Sequence, residues 1–268
     1  MFPIYFYNRI VMHWYIILLS LLSPQLIFAQ EIKINNQVNT RTVLENYKSS
    51  DKDLVKIHQW IKEAIVPSTL ILLGVITLIP DSHSSLSKYS IQNKVRNLFS
   101  GYSSPIDNYL QFTPLAAVYG LKVAGIKSRS SLIDQFALSV KSELLMTLIV
   151  QGMKSTIKSK RPSGGMNSMP SGHTAQAFVS ATILDMEYRD TSPWISVAGY
   201  ATATTTAMYR MINNKHWISD VLIGAGIGIL STKIVYFTHR YRFGIKDNVV
   251  IVPTLLNHGA GVSFAMVF

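Results

Sequence analysis

Lys154-Ser-Thr-Ile-Lys-Ser-Lys-Arg161-Pro162, Pro170-Ser-Gly-His173 and Arg210-Met-Ile-Asn-Asn-Lys-His216-Trp-Ile-Ser-Asp220 follow one another along a single stretch, which gathers nearly every residue able to do chemistry. The stretch supplies three fixed cations (Lys154, Arg161, Arg210), two imidazoles (His173, His216) and one carboxylate, Asp220, to orient an imidazole. Ser171-Gly172 reads as a turn at a helix start, where backbone N–H groups face an incoming anion. Each cluster alone has an ordinary reading. The first is a solvated or membrane-facing basic loop, the second a turn running into a helix, and His216 with Asp220 a pair of neighbours on a helix face. Their joint occurrence is an inventory for phosphoryl transfer without a metal.

The three clusters resemble the signature of the type 2 phosphatidic acid phosphatase family, which also includes bacterial acid phosphatases and vanadium haloperoxidases. Lys154, six residues, then Arg161-Pro162 match its first element; Pro170 to His173 match the second; Arg210, five residues, His216, three residues and Asp220 match the third. Tyr209 stands where the family usually has Ser, a departure at a packing position and not at a charged one. The resemblance implies that His216 attacks phosphorus and becomes a phosphohistidine. It implies that Asp220 holds the ring in the attacking tautomer and that His173 protonates the leaving oxygen and then activates water. Lys154, Arg161, Arg210, Ser171 and Gly172 would cradle the phosphoryl oxygens. No metal and no other cofactor is expected.

The chain has 268 residues, 48% of them hydrophobic, and a mean hydropathy of +0.24, enough for one substantial core but mildly apolar for a membrane protein. A net charge of +11 suits phosphates or acidic lipid headgroups, and nucleic acid is not an expected partner. With no cysteine, disulfides and thiolate metal sites are excluded.

Residues 1–29 carry Arg9, an apolar run from Trp14 and a small residue at Ala29, and read as a secretory signal or an uncleaved anchor. Residues 30–110 form an N-terminal helical region, in which 65–80 is apolar but is interrupted by Pro67 and too short to span comfortably; His83 reads as a loop histidine. From 111 to 240 the pattern is a helical core, with helices at 112–126, 131–152, 173–188, 193–211 and 217–238. Asp134, Lys141 and Glu143 on the second of these must be paired or buried if it crosses lipid, and the small residues of the 193–211 helix permit close contact. The tail, 241–268, reads as a short β-hairpin around Asn257-His258-Gly259. The fold expected is therefore all-α, a membrane-embedded helical bundle with a C-terminal hairpin.

Positive-inside bookkeeping gives a topology if the start is exported and 65–80 does not cross. Crossing at 112 leaves Lys127 and Arg129 in the cytoplasm, recrossing at 131 carries 154–220 outside, and the last helix returns Arg240 and Arg242 inside. The expected activity is hydrolysis of a lipid phosphate or diphosphate at the periplasmic face of a bacterial inner membrane. A soluble periplasmic acid phosphatase acting on small phosphomonoesters is the alternative, followed by a haloperoxidase and a non-catalytic phosphate-binding membrane protein.

Overall fold

The structure is a computed structural model and describes residues 40–78, 84–239, 249–256 and 259–266. The expected signal or anchor at 1–29, His83 and the basic end at Arg240 and Arg242 lie outside the described residues. In chain order the helices are α1 (Thr40–Ile76), α2 (Lys88–Leu98), α3 (Asp107–Leu110), α4 (Thr113–Val123), α5 (Leu132–Ile157), α6 (Gly172–Tyr188), α7 (Pro193–Ile212) and α8 (Ile218–Thr238). Two strands follow, β1 (Val249–Leu256) and β2 (Gly259–Met266), paired antiparallel with Val249 opposite Met266.

Local chemistry sets the helix starts. Ser131 caps α5 by accepting from the Asp134 N–H at 3.2 Å, Ser87 caps α2, and Pro114 and Pro193 occupy first-turn positions of α4 and α7. Helix α8 lies at the centre of the bundle, burying Val221, Ile223, Ile227 and Leu230 against α1, α5 and α6. Its glycines set how closely it is approached. A Cβ at Gly224 would lie 2.7 Å from the Ser171 carbonyl oxygen and one at Gly228 2.4 Å from that of Ala175, so α6 rests on bare α8 backbone. On another face of α8 a Cβ at Gly226 would lie 2.7 Å from the Pro67 carbonyl of α1. The small residues of α7 likewise admit α6, with Ala203 and Ala207 buried against Ala177 and Ala181.

Among the described residues three helical segments are long and apolar enough to cross a membrane: Ile57–Ile76, Leu132–Ile157 and Ile218–Thr238. At 1.5 Å per residue, each reaches about the 30 Å of a hydrocarbon core. Phe136, Val140, Leu144 and Leu148 form an exposed apolar stripe along α5, and Ile61, Ile65, Leu72 and Leu73 are exposed on α1. The charges of α5 are engaged, as a membrane segment requires. Asp134 accepts from the Ser131 hydroxyl at 3.0 Å, Glu143 accepts from Gln176 Nε2 at 2.5 Å, and Lys141 Nζ lies 3.3 Å from His239 Nδ1.

Two expectations about the crossings are corrected. The apolar run at 65–80 is not an interrupted short segment, because α1 continues through Pro67 and adds residues 57–64 to it. Packing against Gly226 overrides the helix-breaking tendency of proline at that point. Conversely, α4 has 11 residues, about half the length a crossing needs, and is not a spanning helix. The other helix bounds fall within one or two residues of the expected ones, except that α5 runs on to Ile157 and so carries Lys154 in its last turn.

Candidate active site

The C-termini of α5 and α7 and the N-termini of α6 and α8 meet at one end of the bundle, and all eight residues singled out in the sequence come together there. Lys154 hangs from the end of α5, where its Nζ donates to the Asn167 carbonyl at 2.7 Å. The loop 158–171 then folds on itself. Arg161 N donates to the Gly165 carbonyl at 2.6 Å, Arg161 Nε donates to that of Met166 at 3.2 Å, and Gly164 takes the positive φ the turn requires. The loop is tied to α8 at its far side, where Trp217 Nε1 donates to the Lys160 carbonyl at 2.8 Å.

Ser171 is the N-cap of α6, as the turn-into-helix pattern predicts. Its oxygen accepts from Thr174 N at 3.4 Å and from Thr174 Oγ1 at 2.9 Å, and its own N–H donates to the Asp220 carbonyl at 3.0 Å. The side chain is buried, so the hydroxyl serves the cap while the open N–H groups of the first turn are left for an anion. His173, half-buried, stands in that first turn, with Nε2 3.0 Å from Asn108 Oδ1.

His216 and Asp220 are 2% and 1% exposed, and a pair this deeply buried must be internally matched. They are not neighbours on one helix face, however. His216 precedes α8, Trp217 is its N-cap, and Asp220 reaches back from the first turn. Asp220 Oδ2 lies 3.5 Å from His216 Nδ1, accepts from Trp217 N at 3.0 Å, and accepts from the buried Ser168 hydroxyl. Arg210, 7% exposed at the end of α7, donates from Nη1 to Asp107 Oδ2 at 2.6 Å, and its carbonyl accepts from His216 N at 3.2 Å.

The electrostatics follow from this crowding. Burial lowers the His173 pKa from its ordinary 6.5 to about 4, and Arg210, His216 and Arg161 add to that while Asp107 opposes it. Burial also lowers His216, against the nearby Asp220 carboxylate, which favours its protonated form. His216 is therefore neutral at pH 7, as the attacking role expected of it requires, whereas His173 needs the negative charge of a bound phosphate beside it to hold the proton that a general acid gives. Tyr209, at the position departing from the family pattern, puts its hydroxyl 3.4 Å from that of Tyr102.

Four residues of the site lie outside the three clusters: Ser168, Asp107, Asn108 and Lys88. Lys88 Nζ sits 5.3 Å from the centre of the Trp217 ring and 5.2 Å from that of Tyr89. Burial lowers the Lys88 pKa, against the pull of Asp220. Among the described residues no group of three or more His, Cys, Asp or Glu side chains converges as a metal site.

A family model described as the PAP2 superfamily matches residues 138–243, the segment that carries every one of the eight predicted residues. The core of this chain is a PAP2 domain. A curated relative, the lipid A 1-phosphatase of Porphyromonas gingivalis, is 39% identical over 186 residues, 67% of this chain. The chain spans about 40% of that relative's length. Among solved structures, the crystal structure of Aquifex aeolicus LpxE is similar at a TM-score of 0.38 and 22% identity, covering 62% of this chain and 93% of that one. In this PAP2 domain, α1 and α2 add to the matched segment by packing on α8 from outside it.

Proposed function

We propose that this chain is a metal-independent phosphatase that hydrolyses a lipid phosphate or diphosphate through a phosphohistidine on His216. The observation that carries the reading is the buried His216–Asp220 pair set among three cations, Lys154, Arg161 and Arg210, beside helices apolar enough to lie in lipid. In this reaction Nε2 of neutral His216 attacks phosphorus as the ester P–O bond breaks. The Nδ1 proton stays toward Asp220, whose charge stabilises the cationic phosphoimidazole. A proton passes from His173 to the leaving oxygen. Water then attacks phosphorus, gives a proton back to His173, and the P–N bond breaks to release phosphate and neutral His216. The cations and the N–H groups at the start of α6 hold the equatorial oxygens throughout, which is the electrostatic work a metal does elsewhere.

The lipid A 1-phosphatase resemblance makes a phosphorylated lipid the favoured substrate class. Purified protein assayed in EDTA against a panel of lipid and soluble phosphates is expected to cleave the lipids, and vanadate, which takes trigonal-bipyramidal geometry in such a cradle, to inhibit. Activity lost in EDTA and restored by magnesium would overturn the metal-independent reading. Cleavage of small phosphomonoesters alone, by protein released on osmotic shock, would establish the soluble alternative instead.

The proposed location is a bacterial inner membrane with the site facing the periplasm. Lys122, Lys127, Arg129 and Arg189 cluster at the bundle end opposite the site, which the positive-inside rule assigns to the cytoplasm. A crossing α1 then places residues 40–56 on the cytoplasmic side too, in contrast to the exported start that the sequence alone suggested. Single cysteines at Gly164, Ser128 and Lys52 of this cysteine-free chain test it in intact cells with an impermeant thiol reagent. Labelling at Gly164 alone is expected, and labelling at Ser128 and Lys52 without Gly164 would invert the topology.

A further inference from the structure

The four-residue helix α3 belongs to none of the three clusters, yet the site is bolted to it. Asp107, 1% exposed, accepts from Arg210 Nη1 at 2.6 Å through Oδ2 and from Asn213 Nδ2 at 3.1 Å through Oδ1, while Asn213 Nδ2 also donates to the Ser104 carbonyl at 2.8 Å. The next residue, Asn108, is exposed, and its Oδ1 lies 3.0 Å from His173 Nε2. Arg210 and His173 are thus held by consecutive residues of one short element.

Resting on the phosphatase reading above, we propose that Asn108 is a positioning residue for His173: its amide oxygen keeps a proton on Nε2 and so leaves Nδ1 as the nitrogen that gives and takes the catalytic proton. The tautomer of an imidazole is set by the bond its other nitrogen makes. With Nε2–H donated to Asn108, the imidazolium transfers its Nδ1 proton to the leaving oxygen as the P–O bond breaks. The neutral Nε2–H imidazole that results accepts the proton of the attacking water at Nδ1. The Nε2 proton never moves, and the cycle closes.

The choice of an amide is itself informative when the two histidines are set side by side. His216 faces a carboxylate, Asp220, suited to a ring that becomes a lasting cation on phosphorylation. His173 faces a neutral amide, suited to a ring that must lose its proton as readily as gain it. Asp107, Arg210, Arg161 and His216 are the charged and titratable groups around His173, and all belong to the cradle or its anchor.

The test exploits leaving groups, because proton donation matters for an alkoxide and little for a nitrophenolate. The full chain would be assayed in detergent with hexadecyl phosphate and with p-nitrophenyl phosphate, comparing kcat/KM, which reports the first step, for the two. Asn108→Leu, a substitution at an exposed position, is expected to lower kcat/KM on hexadecyl phosphate about tenfold or more. On p-nitrophenyl phosphate kcat/KM should stay within about twofold, since the first step with that substrate makes little use of general acid catalysis. Asn108→Asp, which keeps the acceptor, is expected to restore hexadecyl phosphate cleavage and to move the basic limb of its pH profile upward. Equal losses on both substrates, or none on either, would overturn the assignment. A His216→Ala variant as active as wild type would instead bring down the covalent mechanism on which it rests.

Discussion

The two ends of the bundle both carry cations at least partly buried, and they satisfy them differently. At the end away from the site, Lys233 and Arg189 both meet Glu63, Arg189 also meets Asp185 at 3.0 Å, and Glu187 accepts from Ser130 N, Gln135 Nε2 and the Tyr236 hydroxyl. At the site end, Lys154 and Arg161 hydrogen-bond to the neutral carbonyls of Asn167 and Met166, and of the three cations Arg210 alone is hydrogen-bonded to a carboxylate. A carbonyl fixes the direction of a cation without neutralising it. The first arrangement pairs its cations with carboxylates and ties α1, α6 and α8 together, whereas the second holds charge in readiness for an anion.

The strongest test of this contrast is His216→Ala, which is expected to reduce turnover by about 10⁴-fold or more while leaving the circular dichroism melt near that of wild type. Wild-type rates in this variant would remove the site from its place in the reaction. Next comes a matched pair of lysines. Lys154→Met is expected to lower kcat/KM about 10²-fold with little change in stability, because it withdraws a charge from the transferring phosphoryl group. Lys233→Met is expected to do the reverse, costing about 1–3 kcal/mol of stability and leaving kcat/KM unchanged in the folded fraction. If both variants behaved alike, the two ends would not differ in the way described.

A smaller effect should appear on acidification. His173 has a folded-state pKa of about 4 against an ordinary 6.5, so the unfolded chain binds more protons in between. Its contribution to stability is therefore complete above pH 6.5 and is lost as the pH falls toward 4; His216, lowered in the same direction, adds to the trend. The melting temperature of His173→Gln should consequently fall less than that of wild type between pH 7 and pH 4.5. The subtlest change is at Gly224, where Ala would put a methyl 2.7 Å from the Ser171 carbonyl. Overpacking of that kind is worth about 1–3 kcal/mol, and kcat should fall further than the stability change accounts for, since the displaced group is the turn before His173.

Residues whose partners are near in sequence, or whose spacing repeats a known pattern, are legible in the amino-acid sequence. The bounds of α6, α7 and α8 follow from apolar periodicity and from Ser171 and Pro193 at the starts, and the eight site residues from three spaced clusters. What escapes such a reading depends on distant chain. Ser168 reaches Asp220 across 52 residues, Asn108 reaches His173 across 65 and Asp107 reaches Arg210 across 103, and nothing local marks a serine, an asparagine or an aspartate for such a role. Helix α1 escapes for a related reason, since Pro67 is tolerated because of Gly226, far along the chain. The bounds expected for the last helix, 217–238, already put His216 just before it; what stays hidden is that Asp220 reaches back to it from the first turn, because a spacing of four fits a pair on one helix face as well.

The glycines of α8 have a mechanical consequence. Pro67 and Ile71 of α1 and Ser171 of the turn before α6 lean on the same short run of backbone, at Gly226 and Gly224, where α8 itself presents no side chain. Atoms in such contact cannot be compressed further, so a sideways push on α1 is not absorbed where it arrives. Lateral force from a surrounding bilayer would be delivered through α8 to the peptide that caps α6, making α1, the least buried of the three apolar helices, a lever on the most tightly held part of the site.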